Sequence, residues 1–560
     1  MQSDFPELFK TLMTVRGLSE DEVEDFLHPE YTKLHNPLLL PNMKKARDRI
    51  IEVMKAGERI MIFSDYDADG IPGAVVFADF FKKAAYDHVS FYIPHRHDEG
   101  FGLNCEAIDR AVEEGAKLLV TIDCGVSDCD EVVYANKKGV EVIITDHHLP
   151  LKEKGKEALP KAFAVVNPKI KASKYPFKEL CGAAVAYKLV QAILEKERFG
   201  IKEGMEKWSL DMVGIATLSD MVPLVGENRI FAKYGLDVLR KTARPGLLAL
   251  LRRLKIDQAH ISEDDVAFMI TPRINAASRM GVPMDAFNLL STHSMMEAEK
   301  LAAHLETINN ERKGIVASLV KDAKKHLADR EEIRSVIVIG NPEWRPSLLG
   351  LVANSLVEEY DRPVFVWGRD GDGVLKGSCR TCPDIDLHLL MSNASSAFIQ
   401  FGGHKGAGGF EVTLESLSTL EEVLSRALTS PEFTSSQNNV DTERQQDEKL
   451  SIELHEIGES LWKVVSGFAP FGTGNPKPLF YIQGTVRSAK NFGKTGDHLE
   501  VILSSDKSRD TKAIKFFTTL ESLSTPLKRN LPISLTAHLE KSYFRNRPEL
   551  RLRIVDIIGT

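Results

Sequence analysis

Between about Gly57 and Pro168 the chain returns again and again to one pattern, a short apolar run followed by a helical stretch. RIMIFS from Arg59, VSFYIP from Val89, KLLVTI from Lys117, VEVIIT from Val140 and AFAVV from Ala162 have the length and the Ile, Val, Leu and Phe content of strands buried on both faces. AVVFADFFKKA from Ala74, NCEAIDRAVEEGA from Asn104 and DCDEVVYANKKG from Asp128 fall between them as helices. Strands alternating with helices give crossover units and a parallel sheet, so the first lobe is expected to be α/β.

That topology decides where chemistry can sit. In an open parallel sheet, ligands bind beyond the carboxyl ends of the strands. RIMIFS runs into Asp65-Tyr66-Asp67-Ala68-Asp69-Gly70, KLLVTI into Asp123-Cys124-Gly125, and VEVIIT into Asp146-His147-His148. Asp220, in GIATLSDMVPL, stands where a helical run meets a proline. Unpaired carboxylates gathered at one edge repel one another without cations, and carboxylate with imidazole suits divalent Mn, Fe or Zn better than Ca. DYDADG also has the D-x-D-x-D-G form of a calcium loop, but the twelfth position counted from Asp65 is Val76 and not Glu. Alone each motif could be a polar turn; together, at successive strand ends, they point to a metal site.

The remainder divides by composition. From about Val185 to Ala328 the pattern is helical, with a long charged stretch near Glu297 to Lys325 placed to connect two lobes. A second α/β unit starts at RSVIVIG from Arg334 and runs through PVFVWG to the Gly-rich segment near Gly402. Residues 430–448 have few apolar side chains and read as a solvated linker. Short alternating runs beyond it (LEVILSS, AIKFFTT, ISLTAHLE, LRLRIVDII) suit a small β-barrel. The net charge of −8 hides an asymmetry, for residues 449–560 carry 17 Lys/Arg against 11 Asp/Glu. A basic appendage of that kind can meet phosphates.

Other classes are disfavoured. No apolar run reaches the ~20 residues needed to span a bilayer, and the N-terminus lacks the features of a cleaved signal, so a soluble cytoplasmic enzyme is expected. Six cysteines are too few for a disulfide framework, and Cys379 with Cys382 lacks the second ligand pair of a structural zinc site.

DYDADG, TIDCG, DHH and LSDMVPLVGENR resemble, in order and spacing, the four motifs of the DHH phosphoesterases, in particular the branch of single-strand-specific 5′→3′ DNA exonucleases. The resemblance covers nearly the whole chain outside the first few dozen residues. It implies metal ligands Asp67, Asp69, Asp123, His147 and Asp220 for two Mn2+ or Mg2+ ions, with Asp123 as the bridge. It also implies supporting roles for Asp65 and Asp146, and His148 facing the scissile phosphate. FGGHKGAGGF from Phe401 resembles the signature of the DHH-associated domain, in which His404 would donate a hydrogen bond to a phosphate. Ser378 and Arg380 in KGSCR, together with Arg96, resemble a pocket for a terminal 5′-phosphate. PRINAASRM from Pro272 resembles the family's cleft element, implying that Arg273, Asn275 and Arg279 line the cleft. Ser278 in that element, and Arg345 and Ser347 in WRPSLLGLVA, depart from the usual pattern. PFGTGNPKPLF at Pro470 resembles the opening of an OB-fold domain.

The expected architecture is therefore a DHH-type parallel-sheet lobe and a DHH-associated α/β lobe joined by a helical connector, plus a C-terminal OB-fold barrel. The expected division is an N-terminal extension (1–45), the DHH domain (46–225), the connector (226–330), the DHH-associated domain (331–429), the linker (430–448) and a single-strand-binding OB domain (449–560). The resemblance implies single-stranded DNA as substrate, with a helicase and a single-strand-binding protein acting upstream in repair. The alternatives are a phosphodiesterase for short oligonucleotides or cyclic dinucleotides, and an inactive single-strand-binding scaffold.

Overall fold

The computed structural model describes residues 5–559 apart from 97, 154, 372, 404, 432, 434–449, 494, 506–509, 524–525 and 544–547. Two short helices come first, α1 (Pro6–Val15) and α2 (Glu20–Leu27). They do not join the lobe that follows them in sequence: Leu12 and Phe26 are buried in the core of the C-terminal barrel.

The first lobe runs α3 (Met43–Ala56), β1 (Arg59–Ser64), α4 (Gly70–Lys83), β2 (Val89–Tyr92), α5 (Cys105–Glu113), β3 (Ala116–Ile122), α6 (Cys129–Lys138) and β4 (Glu141–Thr145). A hairpin of β5 (Leu151–Glu153) and β6 (Lys156–Ala158) precedes β7 (Ala164–Val166). The sheet is parallel throughout, in the order β2-β1-β3-β4-β7. Strand direction alternates side chains between faces, and each face has its own core. Ile60, Ile62, Leu118 and Val120 enter one; Met61, Phe63, Leu119 and Val142 enter the other. The strand order reverses beside β1, so the ends of β1 and β3 open on the crevice where this topology places ligands.

Helix α4 starts at Gly70, four residues before the apolar run that marks it in the sequence. Gly-Ile-Pro-Gly precedes that run, and its proline is tolerated in a first helical turn. Close packing explains Gly73, where a Cβ would lie 2.7 Å from the Ile122 side chain.

Six shorter helices and one long one follow: α7 (Gly182–Lys196), α8 (Leu210–Ser219), α9 (Gly226–Leu239), α10 (Pro245–Leu254), α11 (Thr271–Met280), α12 (Met284–Ser291) and α13 (Met295–Ala328). With 34 residues, α13 extends about 50 Å at 1.5 Å per residue. Its first half buries Ala298, Ala302, Leu305 and Ile308 in the first lobe, and its end buries Ala323 and Leu327 in the second. The charged stretch seen in the sequence is thus a strut between lobes.

The second lobe comprises β8 (Ile337–Gly340), α14 (Pro346–Tyr360), β9 (Val364–Arg369), β10 (Leu375–Arg380), α15 (Leu387–Asn393), β11 (Gln400–Gly403), β12 (Ala407–Val412) and α16 (Leu414–Leu428). Its sheet has the order β11-β12-β10-β9-β8, with β8 and β9 parallel and the other pairs antiparallel. The last unit runs β13 (Leu450–Ile452), α17 (Glu459–Gly467), β14 (Phe480–Phe492), β15 (His498–Ser504), β16 (Thr511–Lys515), β17 (Pro532–Ser542) and β18 (Glu549–Gly559). Because β17 pairs with both β18 and β14, five of these strands close into a barrel.

Candidate metal centre

Each strand end folds its chain around a carboxylate. After β1, Asp67 Oδ1 accepts the N–H groups of Asp69 (2.7 Å) and Gly70 (3.2 Å), which curls the loop into α4. Asn275 Oδ1 accepts the N–H of Ala68 (2.9 Å) and pins the same loop from α11. Asp69 reaches across to α7, where it accepts from Gly182 (2.6 Å) and Ala183 (2.7 Å). A helix N-terminus with free N–H groups is a favourable place for that charge.

After β3, Asp123 has a backbone φ of 62°, in the left-handed region that side chains other than glycine rarely adopt. Helix α7 comes so close that a Cβ on Gly182 would lie 2.4 Å from Asp123 Oδ1. After β4, the buried Asp146 accepts the N–H groups of Val126 (2.9 Å), His147 (2.7 Å) and His148 (3.0 Å), and its Oδ1 lies 2.8 Å from His148 Nδ1.

These turns bring the strand ends together. His147 Nε2 lies 3.2 Å from Asp123 Oδ1 and 3.7 Å from both Asp69 Oδ2 and Asp220 Oδ2. Three overlapping donor sets result: Asp69, His147 and Asp220; Asp65, Asp67 and Asp123; and Asp123, His147 and His148, with the donor atoms of each set within 4.8 Å of one another. Asp123 belongs to two of them.

The electrostatics fit a cation. Asp65 Oδ1 and Asp123 Oδ1 are buried without a hydrogen-bond partner. Burial first, and neighbouring carboxylates second, push Asp65 and Asp123 well above the usual carboxylate range. The same causes raise Asp69 to about 6 and Asp220 to about 8. His147 is driven down to about 3 by burial and by the charge of His148, which leaves its imidazole neutral and able to ligate. Burial opposes charge on His148 too, but the hydrogen bond and charge of Asp146 raise it to about 9. Asp146 is held at about 2, with His148 overcoming the penalty of burial. Oxygen donors in excess, one neutral imidazole and orphaned buried oxygens make up a donor set able to hold divalent metal ions.

Beside this centre stands a group of guanidinium side chains. Arg96 lies over the ring of Tyr66, 4.9 Å from its centroid. Arg279 Nη1 donates to the Ser347 carbonyl (2.6 Å) while Ser347 Oγ donates to the Arg279 carbonyl (3.2 Å), so α11 and the start of α14 are clasped. Arg380 lies under α14, where a Cβ on Gly350 would sit 2.9 Å from its Nη2. Burial, and then the charges of Arg96, Arg312 and Arg380, lower Arg279 to about 9. Burial and Arg96 lower Arg380 as well. Arg312 on α13 completes the group, and nothing in the sequence singles it out among the charges of that helix.

Arg273 is placed differently from its motif partners. Its guanidinium binds Glu306 (2.8 and 3.3 Å) and the Met269 carbonyl (3.0 Å), bracing α11 against α13. Ser378 sits in β10 opposite Val366 and Gly409, two residues before Arg380 and on the same face. His404 lies outside the described residues. The rim of the centre is apolar: Phe101 packs edge-on to His148 at 5.6 Å, and Leu149 and Met221 are 74% and 71% exposed. Leu149 and Met221 stand next to His148 and Asp220, and Phe101 lies between two glycines, so no pattern marked them.

Comparison with known proteins gives the same outline. Residues 59–217 match the DHH family, N-terminal domain; residues 334–430 the DHHA1 domain; and residues 449–556 the RecJ OB domain. The single-stranded-DNA-specific exonuclease RecJ of Haemophilus influenzae is 30% identical over 487 residues, covering 84% of this chain and 82% of that protein. That of Bacillus subtilis is 33% identical over 509 residues, covering 90% of this chain; the chain spans only 62% of that longer relative. The crystal structure of RecJ in complex with Mn2+ from Thermus thermophilus superposes with a TM-score of 0.77 at 26% identity, over 99% of this chain and 76% of that one. The Mg2+ complex of the same protein gives 0.71. By sequence over most of its length, by its three domains and by its fold, this chain belongs to the RecJ family of DHH phosphoesterases.

Proposed function

We propose that this chain is a metal-dependent exonuclease that degrades single-stranded DNA 5′→3′ to 5′-mononucleotides in repair and recombination. The observation that carries the reading is the junction of the two groups above: buried carboxylates with orphaned oxygens, set against Arg96, Arg279, Arg312 and Arg380. One group suits cations and the other suits phosphate.

In this reading Asp67, Asp69, Asp123, His147 and Asp220 would hold two Mn2+ or Mg2+ ions, Asp123 being common to two of the donor sets. Such ions, when bound, supply positive charge to a phosphodiester and lower the pKa of water. Arg96, Ser378 and Arg380 grip the terminal 5′-phosphate, for which the planar fork of arginine is suited. Gripping the end places the next phosphodiester over the carboxylates and fixes polarity. Asp146 orients and charges His148 through Nδ1, leaving Nε2 to donate to the phosphate at the point of cleavage. Asp65, with one buried oxygen free, supports the loop and the local charge. Arg279 lines the cleft directly, whereas Asn275 and Arg273 act by holding the metal loop and α11. The barrel holds strand beyond the cleft, and a helicase and a single-strand-binding protein supply that strand. Among the described residues no helix is long and apolar enough to cross a membrane; we place the enzyme in the cytoplasm.

The test uses end-labelled single strands with a free 5′-phosphate or a blocked 5′ end, each with Mn2+, Mg2+ or chelator. Mononucleotides are expected from the free end only, with metal only. Asp123→Ala is expected to lose about 10³-fold or more, the several kcal/mol that metal charge supplies. Cleavage confined to dinucleotide-sized substrates would replace the reading with an oligonucleotide phosphodiesterase, and binding without cleavage would replace it with a scaffold.

A further inference from the structure

The loop from Asp220 to Val225 carries one residue of the metal centre, and its own lobe does not hold it alone. Asp220 closes α8, its N–H donating to the Ala216 carbonyl (2.9 Å). Met221 follows with a φ of 57°, a left-handed conformation that needs outside support in a non-glycine residue. Support comes from the segment that leads into the barrel, some 250 residues later. Gly472 and Asn475 exchange backbone hydrogen bonds (2.9 and 3.0 Å), making a tight turn whose Thr473 carbonyl accepts the N–H of Leu224 at 2.7 Å. The turn lies flat on the loop. A Cβ on Gly472 would come within 2.8 Å of Leu224 Cδ1, and one on Gly474, at φ 72°, within 3.1 Å of Pro223 Cβ.

The turn is itself anchored on three sides. Asn475, fully buried, donates to the carbonyls of Phe468 and Pro470 (2.8 Å each) and accepts from Nε of Arg16, which caps the end of α1 (2.6 Å). Arg229 of α9, buried over the ring of Phe26, donates to the carbonyls of Phe468, Ala469 and Pro470 (3.1, 3.0 and 3.4 Å). Asn228 closes the circuit by donating to the Pro223 carbonyl at 3.1 Å. The Asp220 loop is thus held by Asn228 from one side and by the turn Gly472–Asn475 from the other, while Arg229 fixes the carbonyls of Phe468–Pro470 that lead into the turn.

We infer that the turn Gly472–Asn475 is a positioning element for Asp220, so that the entry segment of the barrel sets the cation affinity of the catalytic lobe. The inference rests on the reading of Asp220 as a cation ligand. Residues that orient a ligand from outside the coordination sphere cost roughly ten- to a hundredfold in metal affinity when lost. No contact of the turn itself with the metal centre is needed, because the loop between them is short and tied at both ends.

The test is a calorimetric titration of the full chain with Mn2+, without DNA, for wild type, Asp220→Ala, Gly472→Ala and Gly474→Ala. Thermal melting of each protein reports its folded fraction. Both glycine variants are expected to melt cooperatively and to bind Mn2+ about tenfold more weakly. Their kcat on strands too short to reach the barrel should fall at subsaturating Mn2+ and recover at high Mn2+, with KM for long strands unchanged. If both variants bind Mn2+ as wild type does, or lose it only in proportion to an unfolded fraction, or change only the KM of long strands, the inference is overturned. If Asp220→Ala itself binds Mn2+ like wild type, the reading of Asp220 fails instead, and with it the premise.

Discussion

At Asp123 the left-handed backbone, the burial of the carboxylate and the pressure of α7 coincide, and each is unfavourable for an isolated aspartate. A divalent cation removes the electrostatic part of that cost. The raised pKa values turn this into a prediction for protein stripped of metal. A carboxyl group whose folded pKa lies above its unfolded value near 3.8 stabilises the fold below that value and loses the contribution as pH rises through the folded pKa. With Asp69 near 6 and Asp220 near 8, the melting temperature in chelator is expected to fall from about pH 5 to pH 8, and Mn2+ to reverse the fall. Calorimetric melting across that range checks it, and a chelator curve that rises through it would contradict the assignment. Asp65, Asp67, Asp123 and the DHH triplet were legible in the sequence because strand ends in a parallel sheet are where side chains gather. Arg312, Phe101 and Met221 were not, for their places depend on how α13 and two loops pack, which no local pattern encodes.

Among the elements around the metal centre, α7 fits closely. Its first turn gives two N–H groups to Asp69, and its first residue must be glycine for Asp123 to keep its place. Gly182→Ala would set a methyl 2.4 Å from the Asp123 carboxylate, a separation that real atoms do not tolerate. Either the helix or the carboxylate must move. Activity is expected to fall about tenfold or more, with the fold retained, as when a supporting residue of a metal site is lost. Steady-state rates at several Mn2+ concentrations, beside circular dichroism, check this; activity equal to wild type would mean that the helix start adjusts freely. Helix α7 was only half legible from sequence. The helical pattern was placed from about Val185, whereas the helix starts at Gly182, with the small residues Gly182, Ala183 and Ala184 bringing it to the metal centre. In the same way α4 begins earlier than its apolar run, because what selects Gly70 and Gly73 is proximity to other elements and not periodicity.

Across the whole molecule the charge asymmetry seen in the composition divides the barrel, with its excess of Lys and Arg, from the two lobes and their connector, which together carry the excess of Asp and Glu. The barrel displays Phe517, 84% exposed, held at φ 54° by a hydrogen bond from its N–H to His498 Nδ1 (3.1 Å) and flanked by the rings of Phe516 and His498. A large ring kept in water suits the stacking of bases, worth about 1–3 kcal/mol per base. Phe517→Ala is therefore expected to weaken binding of long single strands by roughly tenfold or more and to leave the turnover of the shortest substrates unchanged. Fluorescence anisotropy with strands of graded length checks it; equal losses at every length would place Phe517 in the general fold. The domain order was legible in the sequence, whereas the attachment of α1 and α2 to the barrel was not, since the two partners lie more than 400 residues apart.

The short rims of the sheets have a consequence for keeping such a chain in solution. Among the described residues, β2, β7, β8, β11 and β13, which lie at the ends of the sheet orders, are three or four residues long, and β17 is paired on its outer side by β14 from Pro532 to Ala537. Long bare edges invite a second chain to add its own strand, which is the usual start of aggregation and of domain swapping. With edges this brief, each sheet offers little unpaired backbone on which another chain could add a strand.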